Sequence, residues 1–258
     1  TMNGPPTDAL SYILSLPRIS IKRVVQKWNV VLDIQQTVRY EIYNEEGVQI
    51  GMMLERSTGK FAAIGRQVEK TKRPFCIDLI DMQGNILLSV TRPFKVIRSH
   101  CKILIPYNGN GNGMYYFTEN GWKNNKREVE SIEIGECNEK WTVFNKKYEL
   151  VENGRLFGKI KSEYLSWEFP IFDVNDGSKC AQVTRKMSNW QVQMFSDGGV
   201  YSLEFNPNGS HNLDLNKRGV VLSTVVAIDF DQFSLHSKDE SGFDNGYLYN
   251  RAFPFAGP

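Results

Sequence analysis

The feature that most constrains the fold is an apolar segment near the C-terminal end of a mostly polar chain, residues 218–234 (RGVVLSTVVAIDFDQFS). Its unbroken apolar part is about half of the ~20 residues that a helix needs to cross a bilayer. Asp229 and Asp231 interrupt its far end, and carboxylates are costly inside a membrane. We therefore predict that the rest of the protein encloses this segment.

The secondary structure of this segment is ambiguous from its residues alone. Its valine-rich composition favours a β-strand, because branched side chains pack well on a pleated surface. Val221, Leu222, Val225 and Ile228 nevertheless fall at the spacing of one face of a helix. Propensity favours the strand, and the helix stays open as the alternative.

Composition describes an ordinary globular protein with a large core. The chain has 258 residues with a net charge of +2, a balance that argues against general nucleic-acid binding. All-β barrels of this length often form one domain. The four cysteines are scattered and include no CxxC pair, which is typical of reduced thiols in an intracellular protein.

A repeated pattern of strand, polar turn ending in glycine, and strand runs through the middle of the chain. Residues 39–52 and 75–90 show it with apolar side chains at alternate positions, and similar turns recur about 20–40 residues apart. The pattern predicts an all-β body. Three segments depart from it: a lead, residues 1–38, expected to pack on the barrel as a docking segment or edge strand; an inserted loop, 107–127; and a polar tail, 238–258.

Several of these segments carry a family resemblance. Residues 40–50 (YEIYNEEGVQI), 73–85 (RPFCIDLIDMQGN), 90–94 (VTRPF), 172–183 (FDVNDGSKCAQV) and 226–233 (VAIDFDQF) resemble the phospholipid scramblase family. Their order and spacing hold from about Leu10 to Ser237. The Ile-Asp-Phe-Asp ending is most similar to the fungal mitochondrial branch.

The resemblance implies a tubby-like fold, in which a closed antiparallel barrel of about 12 strands surrounds one central hydrophobic helix. On this basis residues 39–237 form the barrel and a helix spans about 219–230. The side chains expected to be buried on that helix are Val221, Leu222, Val225, Val226, Ile228 and Phe230. Closure of the barrel would also remove exposed sheet edges.

The family's calcium site would fall on residues 195–205 (FSDGGVYSLEF), where only Asp197 and Glu204 remain as acidic ligands. A hard cation needs several converging oxygens, so a plain hairpin turn is the favoured interpretation. We predict no cofactor and keep calcium as an alternative. The cysteine cluster that carries palmitate in animal members is reduced to Cys101, and one acyl chain anchors only marginally.

The candidates for contact with anionic lipid headgroups are basic pairs, each of which could instead be a solvated surface: Arg185, Lys186, Lys217 and Arg218. The resemblance implies a protein that moves phospholipids between leaflets, or binds them, without ATP. The alternative is a tubby-type module that binds phospholipid or protein and transports no lipid. No nucleophile–base motif is visible, so we do not predict an enzyme.

The expected partners are a phospholipid membrane and its anionic lipids, with a protein partner or a homo-oligomer left open. The resemblance to the fungal branch implies an intracellular, membrane-associated protein of the mitochondrion, with the cytoplasm and nucleus as alternatives.

Overall fold

The structure is a computed structural model that describes residues 7–24, 38–56, 74–94, 98–106, 115–118, 121–124, 130–140, 145–163, 166–186, 199–209 and 213–233. Its helices are α1 (Thr7–Ser15), α2 (Leu215–Ile228) and a π-helical turn (Asp229–Phe233). The strands in the first half are β1 (Arg18–Val24), β2 (Arg39–Tyr43), β3 (Gln49–Glu55), β4 (Phe75–Ile80), β5 (Ile86–Arg92), β6 (His100–Pro106), β7 (Tyr115–Thr118) and β8 (Gly121–Asn124). The later strands are β9 (Ser131–Lys140), β10 (Asn145–Glu152), β11 (Arg155–Glu163), β12 (Glu168–Asp173), β13 (Lys179–Lys186) and β14 (Val200–Phe205).

Twelve of the fourteen described strands form one closed antiparallel barrel in the order β1-β14-β13-β12-β11-β10-β9-β6-β5-β4-β3-β2. Strand β1 closes the ring, because it pairs with β14 on one side and β2 on the other. The predicted fold class, a barrel of about 12 strands around one C-terminal helix, is confirmed. Residues 18–24, which the sequence placed in a segment packing on the barrel, lie in its wall.

The barrel has two different ends. Tight turns join β2 to β3, β4 to β5, β10 to β11 and β12 to β13, and all four lie at the end we call the hairpin end. At the opposite end, the connection end, chain leaves the wall after β1, β3 and β13. The residues between those strands and the next (25–37, 57–73 and 187–198) lie outside the described part.

Helix α2 runs through the barrel from the hairpin end to the connection end. It begins at Leu215, four residues before the predicted start, because Asp214 caps it by accepting a hydrogen bond from the Lys217 amide at 2.9 Å. The six predicted core side chains from Val221 to Phe230 are all 1% exposed or less. The helix continues past the predicted end as a π-helical turn, Asp229–Phe233.

A helix suits this position better than the strand that propensity favours. A chain enclosed by a complete wall finds no strand partner, whereas a helix satisfies its own backbone hydrogen bonds. The two hydroxyls of α2 are also satisfied within the helix, since Ser223 and Thr224 donate to carbonyls one turn earlier at 2.8 Å each. Among the described residues, no helix is both long enough and apolar enough to cross a membrane.

The inserted segment contributes a hairpin, β7–β8, that forms its own two-stranded sheet. Tyr115 of this hairpin packs in a second small core with four residues of β3, β4 and β5: Met52, Leu54, Ile80 and Ile86. Every residue of β4 is buried, because this core covers one face of the strand and the barrel interior the other. The predicted tail, residues 238–258, lies outside the described residues.

Candidate functional site

The connection end of the barrel holds the π-helical turn through a buried carboxylate, Asp229. The hydroxyls of Tyr40 and Tyr201 donate to its two oxygens at 2.7 and 2.5 Å, and Arg23 Nη1 lies 3.0 Å from Oδ2. Asp229 is fully buried, so these partners replace the water that it loses on folding. The three partners come from β2, β14 and β1, which are neighbours in the wall.

A second carboxylate, Asp231, holds the turn to the other side of the barrel. Arg92 Nη1 lies 2.8 Å from its Oδ1, and the Tyr148 hydroxyl donates to Oδ2 at 3.3 Å. Both charged side chains are 0% exposed. The Arg92 guanidinium also lies over the rings of Phe75 and Phe230, 4.5 and 5.5 Å from their centroids.

Burial and these carboxylates keep the tyrosines neutral. Burial first, and then the charge of Asp229, raises the pKa of Tyr40 and Tyr201 well above the usual value. Burial and the charge of Asp231 do the same to the pKa of Tyr148. The tyrosines are therefore fixed hydrogen-bond donors, and this network anchors the helix.

Arg185 is a candidate for contact with a ligand at the connection end. Its guanidinium lies 3.9 Å from the centroid of the Phe233 ring, 5.0 Å from that of Trp167 and 6.0 Å from that of Tyr201. Its Nε is buried with no hydrogen-bond partner, and no carboxylate among the described residues pairs with it. The indole of Trp167 is 36% exposed, so the site reaches the surface.

The other predicted basic residues do not join Arg185. Lys186, its neighbour, is exposed at the connection end. Lys217 lies sixteen residues before Phe233 on the helical segment, about 24 Å at 1.5 Å per residue, and it pairs with Asp214 and Glu152 at 2.8 and 3.5 Å. The four predicted basic residues therefore lie at opposite ends of the barrel, two at each end.

Arg218 has a structural position at the hairpin end. Its guanidinium donates to the carbonyl oxygens of Leu14 at 2.9 Å and Leu213 at 3.1 Å, and it lies over the Phe205 ring. Burial lowers the pKa of Arg218. Arg218 thereby ties α1 to the start of α2. Because Arg218 and Leu14 are far apart in sequence, no sequence pattern indicates this contact.

The predicted calcium ligands are not seen together. Asp197 lies outside the described residues, and Glu204 accepts from Arg18 Nη2 at 3.0 Å on the outer surface. Within the described ranges, no group of three or more His, Cys, Asp or Glu side chains is placed to hold a metal ion.

The four cysteines are buried free thiols. Cys101 is fully buried and belongs to the main core inside the barrel. Burial raises the pKa of Cys76 to about 12 and that of Cys180 to about 11, and the charges of Asp78 and Asp173 respectively add to the effect. Protonated, buried thiols are poor nucleophiles, so these positions are structural in this fold.

The motif around β4 and β5 contains structural residues whose role the sequence did not reveal. Asp78 accepts two hydrogen bonds from Arg56, at 2.8 and 2.6 Å, and one each from Ser89 at 2.6 Å and Tyr115 at 2.7 Å. It thereby fastens the β7–β8 hairpin to the wall. One sequence signal could have indicated this role: Asp78 stands between apolar residues within a predicted strand. A carboxylate at such a position is expected to be buried and paired.

Asp81 organises the turn that follows β4. Its carboxylate accepts from the backbone amides of Gln83 and Asn85 at 2.9 and 2.8 Å. Gly84 closes this turn with φ of +88°, a conformation that side chains with a Cβ disfavour.

The fold is a closed antiparallel barrel whose core is its own C-terminal helix. Two buried acidic residues just after the helix hold it to the wall, and together these features define the structural class of the protein. The sequence profile of the Scramblase family matches residues 2–235. The chain belongs to this family.

Two curated relatives agree with the family match. One is the protein "Altered inheritance rate of mitochondria protein 25" of Saccharomyces cerevisiae, 34% identical over 253 residues, which cover 90% of this chain and 75% of the relative. The other is a phospholipid scramblase family protein of Schizosaccharomyces pombe, 28% identical over 275 residues, with 95% of this chain and 67% of the relative covered.

Proposed function

We propose that the protein binds membrane phospholipids and moves them between leaflets without ATP. Membership in the Scramblase family supports the reaction class, and the similarity to a fungal phospholipid scramblase family protein supports the substrate class. The single structural observation behind the proposal is Arg185, a cation held by aromatic rings with no carboxylate partner among the described residues.

Arg185 has the properties required to accept a lipid phosphate. A guanidinium offers several N–H donors in a plane and binds phosphate in a bidentate manner. Phe233 and Trp167 fix its plane, so little side-chain freedom would be lost on binding. An indole at the surface favours the interface between headgroups and acyl chains. The connection end therefore combines a phosphate-binding group with an interfacial anchor.

Lipid flux into reconstituted liposomes tests the transport function. Fluorescent phospholipid on the inner leaflet becomes accessible to dithionite only if the protein moves it outward. We expect quenching beyond the half of the signal that empty liposomes lose, without ATP, and less flux for Arg185→Gln. Arg18→Gln, an arginine at the hairpin end, is the matched control. Quenching that stops where empty liposomes stop would overturn the transport proposal.

A second candidate is a phospholipid- or protein-binding module that transports no lipid. The observation that favours it is the packed interior of the barrel, where α2 and the π-helical turn are buried on every side from Gly219 to Phe233. This candidate is supported if the protein binds vesicles through Arg185 and lipid flux is absent in the same preparation.

We also propose that the protein works at a mitochondrial membrane, with the cytoplasm and nucleus as the alternatives. The support is the name of the Saccharomyces cerevisiae relative, which refers to the inheritance of mitochondria. Fractionation of cells that express the tagged chain tests it. Recovery with soluble or nuclear markers, away from mitochondrial membranes, would reject it.

A further inference from the structure

The outer wall of the barrel carries two rows of residues whose order is set by strand register. In the first row, Lys147 of β10 lies directly opposite Lys140 of β9 on one side and Lys161 of β11 on the other. In the second row, Phe172 of β12 lies between Lys159 of β11 and Lys179 of β13. We call Lys147, Lys159, Lys161, Phe172 and Lys179 the lysine face.

The first row places like charges side by side. Residues directly opposite on antiparallel strands have Cβ atoms about 4.5–5.5 Å apart, and like charges at that separation destabilise a sheet. Lys140 is compensated, because its Nζ lies 2.9 Å from Glu149 Oε2. Glu149 is also the residue directly opposite Lys159, so the carboxylate nearest to Lys159 in register is already paired with Lys140.

The four lysines of the face have no ion-pair partner among the described residues. Lys159 and Lys161 are exposed, and Lys147 and Lys179 are half-buried. Three exposed carboxylates lie nearby, but no ion pair joins them to these lysines in the described part: Glu163 at the end of β11, Glu168 at the start of β12, and Asp176, which accepts from the Ser178 amide just before β13. The face therefore keeps a local positive charge on a chain whose net charge is only +2.

Apolar side chains lie among these charges. Phe172, between two lysines, and Leu156, at the start of β11, are each 37% exposed. A polyacidic peptide or a nucleic-acid duplex would engage the lysines and leave these apolar groups in water. A lipid surface engages both, because its phosphates meet the ammonium groups and its interfacial region accepts a phenyl ring.

We propose that the lysine face docks the barrel on anionic phospholipid membranes. The inference rests on the proposed function and adds a docking surface to the headgroup site at Arg185. Each lysine near an anionic surface contributes about 1 kcal/mol, which is about fivefold in affinity. Phe172 adds an apolar contribution that salt does not screen.

Vesicle co-sedimentation tests the docking face, with phosphatidylcholine vesicles that contain ~30% phosphatidylserine. We expect Lys147→Glu/Lys161→Glu to lower the affinity by about tenfold or more, because it removes two attractions and adds two repulsions. The control, Lys22→Glu/Lys123→Glu, changes the net charge equally at exposed lysines elsewhere, and we expect at most a twofold effect. Phe172→Ser should lower the part of the binding that persists at high salt.

The outcomes separate this inference from the proposed function. Equal losses for the two double variants, or salt-insensitive binding that neither changes, would overturn the docking face. Lysine-dependent binding to single-stranded RNA or polyglutamate in the absence of vesicle binding would also overturn it. If wild-type protein shows no lipid flux but the Lys147/Lys161 variant alone loses vesicle binding, the transport proposal fails and the docking face stands. Circular dichroism melts confirm that both double variants are folded.

Discussion

At the scale of single residues, the two carboxylates that follow the apolar helix are its anchors. Sequence reasoning placed Asp229 and Asp231 at the exit of the buried segment, which is where they lie. Their partners were not predictable, because Arg23, Tyr40 and Arg92 are remote in sequence and each reaches a carboxylate only after the barrel closes. Each of these partners offsets part of the cost of burying a carboxylate, so the loss of one of them is expected to destabilise the fold.

We predict that Asp229→Asn destabilises the protein by about 3–5 kcal/mol, because it removes the buried negative charge that pairs with Arg23. Urea unfolding followed by tryptophan fluorescence measures the change. The control is Glu204→Gln, which removes an exposed ion pair with Arg18 and should cost at most about 1 kcal/mol. Equal effects of the two substitutions would show that Asp229 is not an anchor.

At the scale of elements, the fit between α2 and the wall depends on a glycine that no sequence pattern singled out. Gly135 of β9 lies against Val220 of the helix and the backbone of Val151 in β10. A Cβ at this position would overlap the Val151 carbonyl oxygen and come within 2.6 Å of Val220 Cγ2. The strand therefore needs glycine here because both the neighbouring strand and the helix approach it closely.

We predict that Gly135→Ala destabilises the protein by about 1–3 kcal/mol, since backbone must shift to admit the methyl group. Gly158→Ala in β11 is the matched control, because its Cβ would meet only side-chain atoms at 3.4 Å or more. Thermal melts of both variants provide the comparison. If Gly158→Ala proves as harmful as Gly135→Ala, close approach of the helix is not the cause.

The extent of the helix shows the limit of sequence reasoning at this scale. The resemblance identified a helix at 219–230 against a strand propensity, and it was correct because an enclosed segment has no strand partner. The first turn, from Leu215, was missed even though Asp214 is a good N-cap residue. The π-helical turn has no sequence signal, and it arises where both carboxylates reach opposite walls.

At the scale of the whole molecule, the regular glycine turns and the resemblance were enough to predict the closed barrel. The distribution of charge around it was not predictable, because it depends on register. Lys147 and Lys161 become neighbours only through the pairing of β10 with β11, and Lys217 is separated from Arg185 by the length of the barrel. Without the strand register, the sequence does not show which distant residues share an end or a face of the barrel.

The many buried hydroxyl and thiol groups lead to a prediction about alkaline stability. Burial raises the pKa of Cys76 from 9.0 to about 12 and that of Cys180 to about 11, and it also raises the pKa of Tyr40, Tyr148 and Tyr201. Each group binds its proton more tightly in the folded state. Its contribution to stability is complete below the unfolded pKa and is lost as the pH rises towards the folded pKa.

We therefore expect the free energy of unfolding to fall between about pH 9 and pH 12, by up to about 1.4 kcal/mol per pH unit for each titrating group. Urea midpoints across this range measure the fall. Tyrosinate absorbance should then rise in two stages, first from exposed tyrosines and later together with unfolding. A constant urea midpoint up to pH 12 would contradict the prediction.

The closure of the barrel by β1 has a consequence for biosynthesis. Ile19 is translated early but pairs with Leu203, and the helix that fills the interior is translated after every wall strand. The ribosome therefore synthesises the wall strands before the helix that they enclose. The inward apolar side chains of the wall stay uncovered until residue 228 has emerged. Apolar surface exposed in this way is prone to aggregation, so the wall cannot reach its stable packing before α2 is available to fill it.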